Sequence, residues 1–207
     1  MKLAVFDFDS TLMKGETLEF IAKEYGMEAL MRKITTEAME GKIDFFESLT
    51  MRVALLKGSK ESKIVDICEN LPYTDGAKET IFELHNMEYK VVCFSGGYET
   101  ATIPAQKVLG YDAQFSNILH FKDGILTGQV GGEMMFSDSK GKMLQRLQTL
   151  LNITPDDTIT VGDGANDISM FKYAQKRVAF CAKPVLKEQA NIIIDTPNLT
   201  EMLNYIN

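Results

Sequence analysis

Four short stretches of this chain place chemically capable side chains at the ends of apolar runs or at a helix start. The first is Asp7-Phe8-Asp9-Ser10-Thr11, directly after Lys2–Phe6. The others are Ser95-Gly96-Gly97 after Lys90–Phe94, Lys140-Gly141, and Gly162-Asp163-Gly164-Ala165-Asn166-Asp167 after Thr158–Val161. Asp7 and Asp9 stand two apart, so an extended backbone leans both side chains to one side. With Asp163 and Asp167 they make a group of carboxylates that repel one another unless a cation sits among them. A hard divalent ion answers that need, and Mg2+ commonly combines a few carboxylates with substrate phosphate oxygens. Lys140 adds a fixed positive charge. The Ser95 hydroxyl and the amides of Gly96 and Gly97 can cradle phosphate oxygens at a helix start. Such a set suits phosphoryl transfer, where positioning and charge neutralisation carry most of the catalysis.

Positioning these groups falls to the elements around them. Runs of four or five apolar residues without alternation suit strands covered on both faces, and Arg177–Phe180 and Ile192–Ile194 add two more. Helical periods lie between them: Ala77, Ile81 and Leu84 share a face, as do Met143, Leu144, Leu147, Leu150 and Leu151. The alternation predicts an α/β fold, a Rossmann-like core around a mostly parallel sheet. In such sheets ligands bind beyond the carboxyl ends of the strands, where the polar residues collect. Two segments break the rhythm. Residues 14–71 hold no strand but four helical stretches, Glu16–Tyr25, Glu28–Glu40, Phe45–Leu56 and Lys60–Asn70. They are expected to form a small helical cap inserted after the first strand, leaving residues 1–13 and 72–207 as the core. In Leu119–Val130, a Lys122-Asp123-Gly124 turn between apolar stretches predicts a β-hairpin flap. Pro104 falls in the helical stretch after Ser95-Gly96-Gly97, so that helix is expected to start late or to kink.

Composition narrows the classes further. The chain has 207 residues, 45% hydrophobic and 25% charged, enough for one compact domain with a modest insertion. Its net charge of −7 does not favour nucleic acid or anionic membranes, both of which need clustered Lys and Arg. The longest apolar runs are too short to span a bilayer, and the first residues read as a strand rather than a signal peptide. Cys68, Cys93 and Cys181 form no metal pattern, so a cytoplasmic protein is expected. Cys93 and Cys181 read as inert core thiols, and His85 and His120 as structural or exposed. Met27, Met31, Met39, Met51 and Met87 read as packing.

Taken together and in order, Asp7-x-Asp9-x-Thr11, the Ser95-Gly96 strand end, Lys140 and Gly162-Asp163-Gly164-x-Asn166-Asp167 resemble the four motifs of the haloacid dehalogenase superfamily of phosphohydrolases. The stretches FDFDSTL, GETLEFIA, EAMEGKIDFFESL, FSGGYE, SKGKML, VGDGANDISMF and AFCAKPVLKE resemble its phosphoserine phosphatase branch, nearly end to end. That resemblance implies Asp7 as the nucleophile, Asp9 as general acid and then base, and Lys140 balancing Asp7 while holding phosphate. It implies Mg2+ on the Asp7 carboxylate, the Asp9 main-chain carbonyl and Asp163, with Asp167 in support. Ser95, Gly96 and Gly97 would hold phosphate oxygens, and Asn166 would orient the phosphate or the substrate. In the cap, Glu16 would meet the substrate ammonium, Arg52 its carboxylate, and Phe45 would line the pocket. The implied partner is a small molecule, O-phosphoserine, met by a monomer or homodimer at the last step of serine biosynthesis.

Blander readings stand beside these. A lone acid at a strand end is ordinarily a turn or helix cap, which covers Asp157 fully and leaves Asp167 open as the cap of a helix over Ile168–Ala174. A charge on a helix face, as at Glu16, Arg52 or Lys142, is ordinarily just solvated. A related phosphatase acting on phosphoethanolamine or phosphohomoserine could share the site, although Arg52 argues against a substrate lacking a carboxylate. A phosphorylated receiver domain uses similar groups but needs no cap, and a silent binding module would lack Asp7 or Asp9.

Overall fold

The computed structural model describes residues 1–39 and 42–206, and of Met39 only the backbone. Seven strands form one sheet in the order β4-β3-β2-β1-β5-β6-β7. β1 (Lys2–Asp7) is central, pairing in parallel with β2 (Tyr89–Tyr98) and β5 (Thr158–Gly162). β6 (Lys176–Phe180) and β7 (Ile192–Ile194) extend the parallel set on one side, and β3 (Ala113–Lys122) on the other. β4 (Ile125–Gly132) closes the β3 edge and is the one antiparallel strand. Asp7 pairs with Phe94 and Phe6 with Val161, so the polar residues after β1, β2 and β5 emerge side by side. The α/β expectation holds.

Between β1 and the helix α5 (Ala77–Asn86) lie α1 (Thr17–Glu24), α2 (Glu28–Met39), α3 (Phe45–Leu55) and α4 (Glu61–Glu69). These match the four helical stretches read from the sequence within a residue or two, except that Glu40 and Gly41 lie outside the described residues. The two ends of this four-helix stretch lie side by side in a short two-stranded joint. Met13 bridges Tyr73, the Lys14 N–H donates to the Pro72 carbonyl at 2.8 Å, and the Thr74 N–H to the Leu12 carbonyl at 2.9 Å. On the opposite side the hairpin tip grips the α3–α4 turn. The Gly58 N–H reaches the Leu126 carbonyl, the Leu126 N–H the Ser59 carbonyl, and the Glu61 N–H the Gly124 carbonyl, all at 2.8–2.9 Å. A third contact is aromatic: Phe46 of α3 stacks on Phe136 of the core, with ring centroids 5.3 Å apart.

Several local expectations need correction. The hairpin is longer than Leu119–Val130, because its first arm begins at Ala113 inside the main sheet. Its turn has the mirror-image geometry that suits twisted strands, with Asp123 at φ 51° and Gly124 at φ 73°. The helix after Ser95-Gly96-Gly97, α6 (Glu99–Leu109), does not start late. Pro104 sits inside it, where it has no N–H to give the preceding turn. The face of α7 (Ser139–Leu151) rotates out of the core at its end, so Leu150 and Leu151 are exposed. Gln148 is buried instead, donating to the Thr158 hydroxyl and the Tyr173 carbonyl. The helix at Ile168 ends at Phe171, in α8 (Ile168–Phe171), rather than at Ala174. Cys181 is exposed and in the left-handed region, whereas Cys68 and Cys93 are buried. Met51 is exposed rather than packed, and the Met39 side chain lies outside the described residues. Among the described residues no helix is long and apolar enough to cross a membrane.

Candidate active site

Asp7 ends β1 in the middle of the sheet and is 3% exposed. Its Oδ1 accepts from the Phe8 N–H at 2.7 Å and lies 2.6 Å from the Lys140 ammonium. Both contacts fall on one oxygen, and among the described residues Oδ2 accepts no hydrogen bond. Lys140 reaches this point from the first turn of α7 and also donates to Asp167 Oδ1 at 2.6 Å. Asp167 Oδ2 in turn accepts the backbone N–H groups of Asp163 and Gly164, at 3.0 and 3.1 Å. All three residues of this Asp7–Lys140–Asp167 chain are buried, which is tolerable because each charge is paired and hydrogen-bonded.

Electrostatics follows from that burial. Desolvation first, and Asp167 second, push the Asp7 carboxyl well above the ordinary carboxylate range, against the pull of Lys140. Burial works against the Lys140 charge, but Asp167 and Asp7 outweigh it and hold the ammonium above its ordinary value. Asp163, buried beside Asp167, is pushed up to about 6. Carboxylate oxygens of Asp7, Asp163 and Asp167 lie within 4.8 Å of one another, and only the Lys140 ammonium is buried among them. This donor set, all hard oxygens, fits a small divalent cation such as Mg2+. Asp167 contributes to it with both oxygens already engaged, so its part is chiefly to fix Lys140 and the Asp163 loop. The reading of Asp167 as a mere cap of the following helix fails, since its side chain caps nothing in α8.

Asp9 is turned the other way. Ser10 takes a left-handed conformation at φ 58°, and the Thr11 and Met13 N–H groups fold back onto the Phe8 carbonyl. This tight loop carries Asp9 to the start of α1, where its Oδ1 accepts both the Thr17 N–H at 2.7 Å and the Thr17 hydroxyl at 2.6 Å. Its carboxylate is therefore outside the Asp7–Asp163–Asp167 group. Burial raises its pKa, opposed first by the two Thr17 bonds and then by Arg52 and Lys140.

The Ser95-Gly96-Gly97 stretch departs from expectation in one respect. It lies on β2 itself, since α6 begins only at Glu99, so it is a strand end rather than a helix start. The Gly97 N–H is spent on the Ser95 Oγ at 2.9 Å. Both glycines have close neighbours: a Cβ on Gly97 would stand 2.8 Å from Asp9 Oδ2, and one on Gly96 would stand 3.0 Å from Phe45 Cζ. Phe45, at the start of α3, thus reaches across from the helical insertion to the floor. Glu16 accepts from the Ser10 hydroxyl at 3.1 Å, and burial together with Asp9 lifts its carboxyl to about 7. Arg52, on the last turn of α3, is half-buried with its Nε on the Ser48 carbonyl, and its charge acts on both Asp9 and Glu16. Asn166 folds back over Gly164, its Oδ1 lying 2.9 Å from where a Cβ would be. These contacts bring Asp7, Lys140, Asp163 and Asp167 together, place Asp9 beside Ser95 and Gly97, and set Phe45 against Gly96.

Two neighbours were not singled out. Thr17, which holds Asp9, sits in the GETLEFIA stretch and follows a turn, the only hint available. Lys183 places its ammonium 3.7 Å from Asp163 Oδ2 while its N–H donates to the Asp163 carbonyl at 2.8 Å. No spacing in the sequence signals that, because the contact joins two separate loops.

The family model for haloacid dehalogenase-like hydrolases matches residues 1–175. A phosphoserine phosphatase of Wolinella succinogenes is 59% identical over 206 residues, covering 100% of both chains. That of Methanocaldococcus jannaschii is 49% identical over 205 residues, covering 99% of this chain and 97% of its own. A solved phosphoserine phosphatase in the form of a phospho-aspartyl intermediate analogue superposes with a TM-score of 0.94 at 48% identity, covering 100% of this chain and 99% of the other. A substrate-bound phosphoserine phosphatase complex gives the same TM-score of 0.94 and identity of 48%, with 100% and 98% covered.

Proposed function

This chain belongs to the haloacid dehalogenase-like hydrolases, in their phosphoserine phosphatase branch, and from that membership we propose that it hydrolyses O-phospho-L-serine to L-serine and phosphate through an aspartyl-phosphate on Asp7. The observation that carries the reading is the buried Asp7–Lys140–Asp167 chain at the end of the central strand, faced by Glu16 and Arg52. Residues 14–71 act as a cap and residues 1–13 with 72–207 as the core.

In the first half-reaction an Asp7 carboxylate oxygen attacks phosphorus and the bond from phosphorus to the serine oxygen breaks. Asp9, whose pKa burial raises, gives its proton to that leaving oxygen. In the second half, Asp9 takes a proton from water as the water oxygen attacks phosphorus, and the bond from phosphorus to Asp7 breaks. Phosphate leaves, and both acids return to their starting states. Thr17 holds Asp9 through the cycle, and Lys140 offsets the charge on Asp7 and on the phosphate oxygens. Ser95 and Gly96 cradle the phosphate and Asn166 orients it, while the Gly97 N–H, expected to join the cradle, instead fixes the Ser95 hydroxyl. Asp7, Asp163 and the Asp9 main-chain carbonyl would hold Mg2+, with Asp167 in support. Such an ion neutralises charge where a phosphate dianion meets a carboxylate nucleophile. In the cap, Glu16 receives the substrate ammonium, Arg52 its carboxylate, and Phe45 packs over the cradle. The reaction is the closing step of serine biosynthesis, carried out in the cytoplasm.

Phosphate release across a panel of phosphomonoesters, with Mg2+ and with EDTA, tests the reading. Phosphoserine is expected to lead the panel and EDTA to abolish its turnover. Preference for an ester without a carboxylate, or turnover indifferent to EDTA, would count against it.

A further inference from the structure

Asn117 on β3 is fully buried, yet it belongs to none of the motifs read from the sequence. It stands where β2 and β3 lose step. Phe94 pairs with Phe115 and Tyr98 with Asn117, so Ser95, Gly96 and Gly97 together face the single residue Ser116. Irregularities of this kind re-aim groups beside a site and leave local backbone to be held by other means.

Here the Asn117 side chain does the holding. Its Nδ2 donates to the Gly96 carbonyl at 3.0 Å and to the Met134 carbonyl at 3.2 Å. Its Oδ1 accepts the Met134 N–H at 3.0 Å. The double contact with Met134 fixes which end of the amide meets Gly96, because a flipped amide would set donor against donor. Gly132 leaves room for the arrangement: a Cβ there would stand 2.6 Å from Asn117 Oδ1.

The Gly96 carbonyl and the Gly97 N–H belong to one peptide group, which is planar and trans, so they point in opposite directions. Holding the carbonyl therefore aims the N–H. That N–H donates to Ser95 Oγ at 2.9 Å, so the buried Ser95 hydroxyl accepts from the backbone and keeps its own proton to give.

We infer that Asn117 is a positioning residue: through the Gly96–Gly97 peptide it turns the Ser95 hydroxyl so that its proton meets a phosphate oxygen of the substrate. The inference deepens the phosphatase reading above and rests on it. Since the relay ends on the phosphate, Asn117 matters equally for every phosphomonoester, unlike Arg52.

A double-mutant cycle tests the relay. Asn117→Ala, Ser95→Ala and the double variant are compared with the wild type at saturating Mg2+. The readouts are kcat/KM for phosphoserine and phosphoethanolamine, the inhibition constant of inorganic phosphate, and Tm. We expect Asn117→Ala to lower kcat/KM roughly tenfold for both esters and to weaken phosphate inhibition. Added to Ser95→Ala, it should cost less than about twofold more, because the group it aims is gone. Losses that multiply in the double variant, or a lower Tm with unchanged kinetics, would show that Asn117 only supports the fold. Should Asn117→Ala not fold, the wild type decides. In 15N-labelled protein with Mg2+, the Asn117 side-chain amide signals should shift when inorganic phosphate is added at a concentration that inhibits turnover. Unmoved signals overturn the relay and leave the enzymatic reading standing. A wild type inert towards phosphoserine overturns both.

Discussion

The floor of the cleft and the helices above it hold their charges in different ways. On the floor, Asp7, Lys140 and Asp167 are almost wholly buried, and each makes at least two short charge-assisted or backbone contacts. Above it, Glu16 and Arg52 are only half-buried, and each makes one weaker hydrogen bond, at 3.1 and 3.3 Å. The floor is therefore pre-organised, with its charges paired before anything binds, as electrostatic catalysis requires. The helical side keeps its charges available for a ligand. If the proposed function holds, reactivity and selectivity rest on these two regions separately and should fail separately.

The sharpest way to break the comparison is Lys140→Met. On a paired floor this change strands Asp7 and Asp167 without their cation. Breaking a buried pair in this way costs about 3–5 kcal/mol. Thermal unfolding should show a large drop in Tm, with turnover lost for every phosphomonoester alike. A variant that melts like the wild type would mean that the ammonium is not integral to the floor.

Arg52→Ala should do less, and selectively. Arginine reads a carboxylate through a planar fork, and removing it from a closed site costs about 2–5 kcal/mol of binding. We expect kcat/KM for phosphoserine to fall roughly 30-fold or more, with phosphoethanolamine little changed. An equal loss for both substrates would assign Arg52 to holding the cap instead.

Glu16→Gln should have the smallest effect, visible in the pH dependence of stability. Burial and Asp9 lift the Glu16 carboxyl from 4.5 to about 7 in the folded protein. The folded state then holds a proton that the unfolded state has released, so stability falls as pH rises from about 4.5 to about 7. In EDTA, with the effect roughly halved because solvent screens the half-buried side chain, the wild-type Tm should fall across that window by roughly 3–6 °C more than that of the variant. Parallel Tm profiles for the two proteins would show that Glu16 is not strained by its surroundings.

The same division explains what could be read from the residues alone. The floor was legible because its acids and Lys140 sit at the ends of unbroken apolar runs or in the first turn of a helix, and a parallel sheet must bring strand ends together. The four helices between β1 and α5 were legible from apolar periodicity. Glu16, Arg52 and Phe45, by contrast, look like any residues on exposed helices, and only the family likeness singled them out. The start of β3 was missed because Ala113–Ser116 is half-buried beneath α6 and carries a polar pattern unlike the central strands. Leu150, expected on the buried face of α7, is exposed, and Gln148 is buried there because its amide finds two partners. The contact of Lys183 with Asp163 depends on two distant loops folding together, which no local spacing encodes.

The central claim is that Asp7 carries the phosphoryl group between substrate and water. Its most direct test is to quench the enzyme during turnover of phosphoserine, reduce the acyl phosphate with borohydride, and map the modified residue by mass spectrometry. The account predicts reduction of Asp7 to homoserine, dependent on substrate and absent in Asp7→Asn, which should also have lost activity by about 10⁴-fold or more. Modification of a different residue, or substantial hydrolysis persisting in Asp7→Asn, would contradict it.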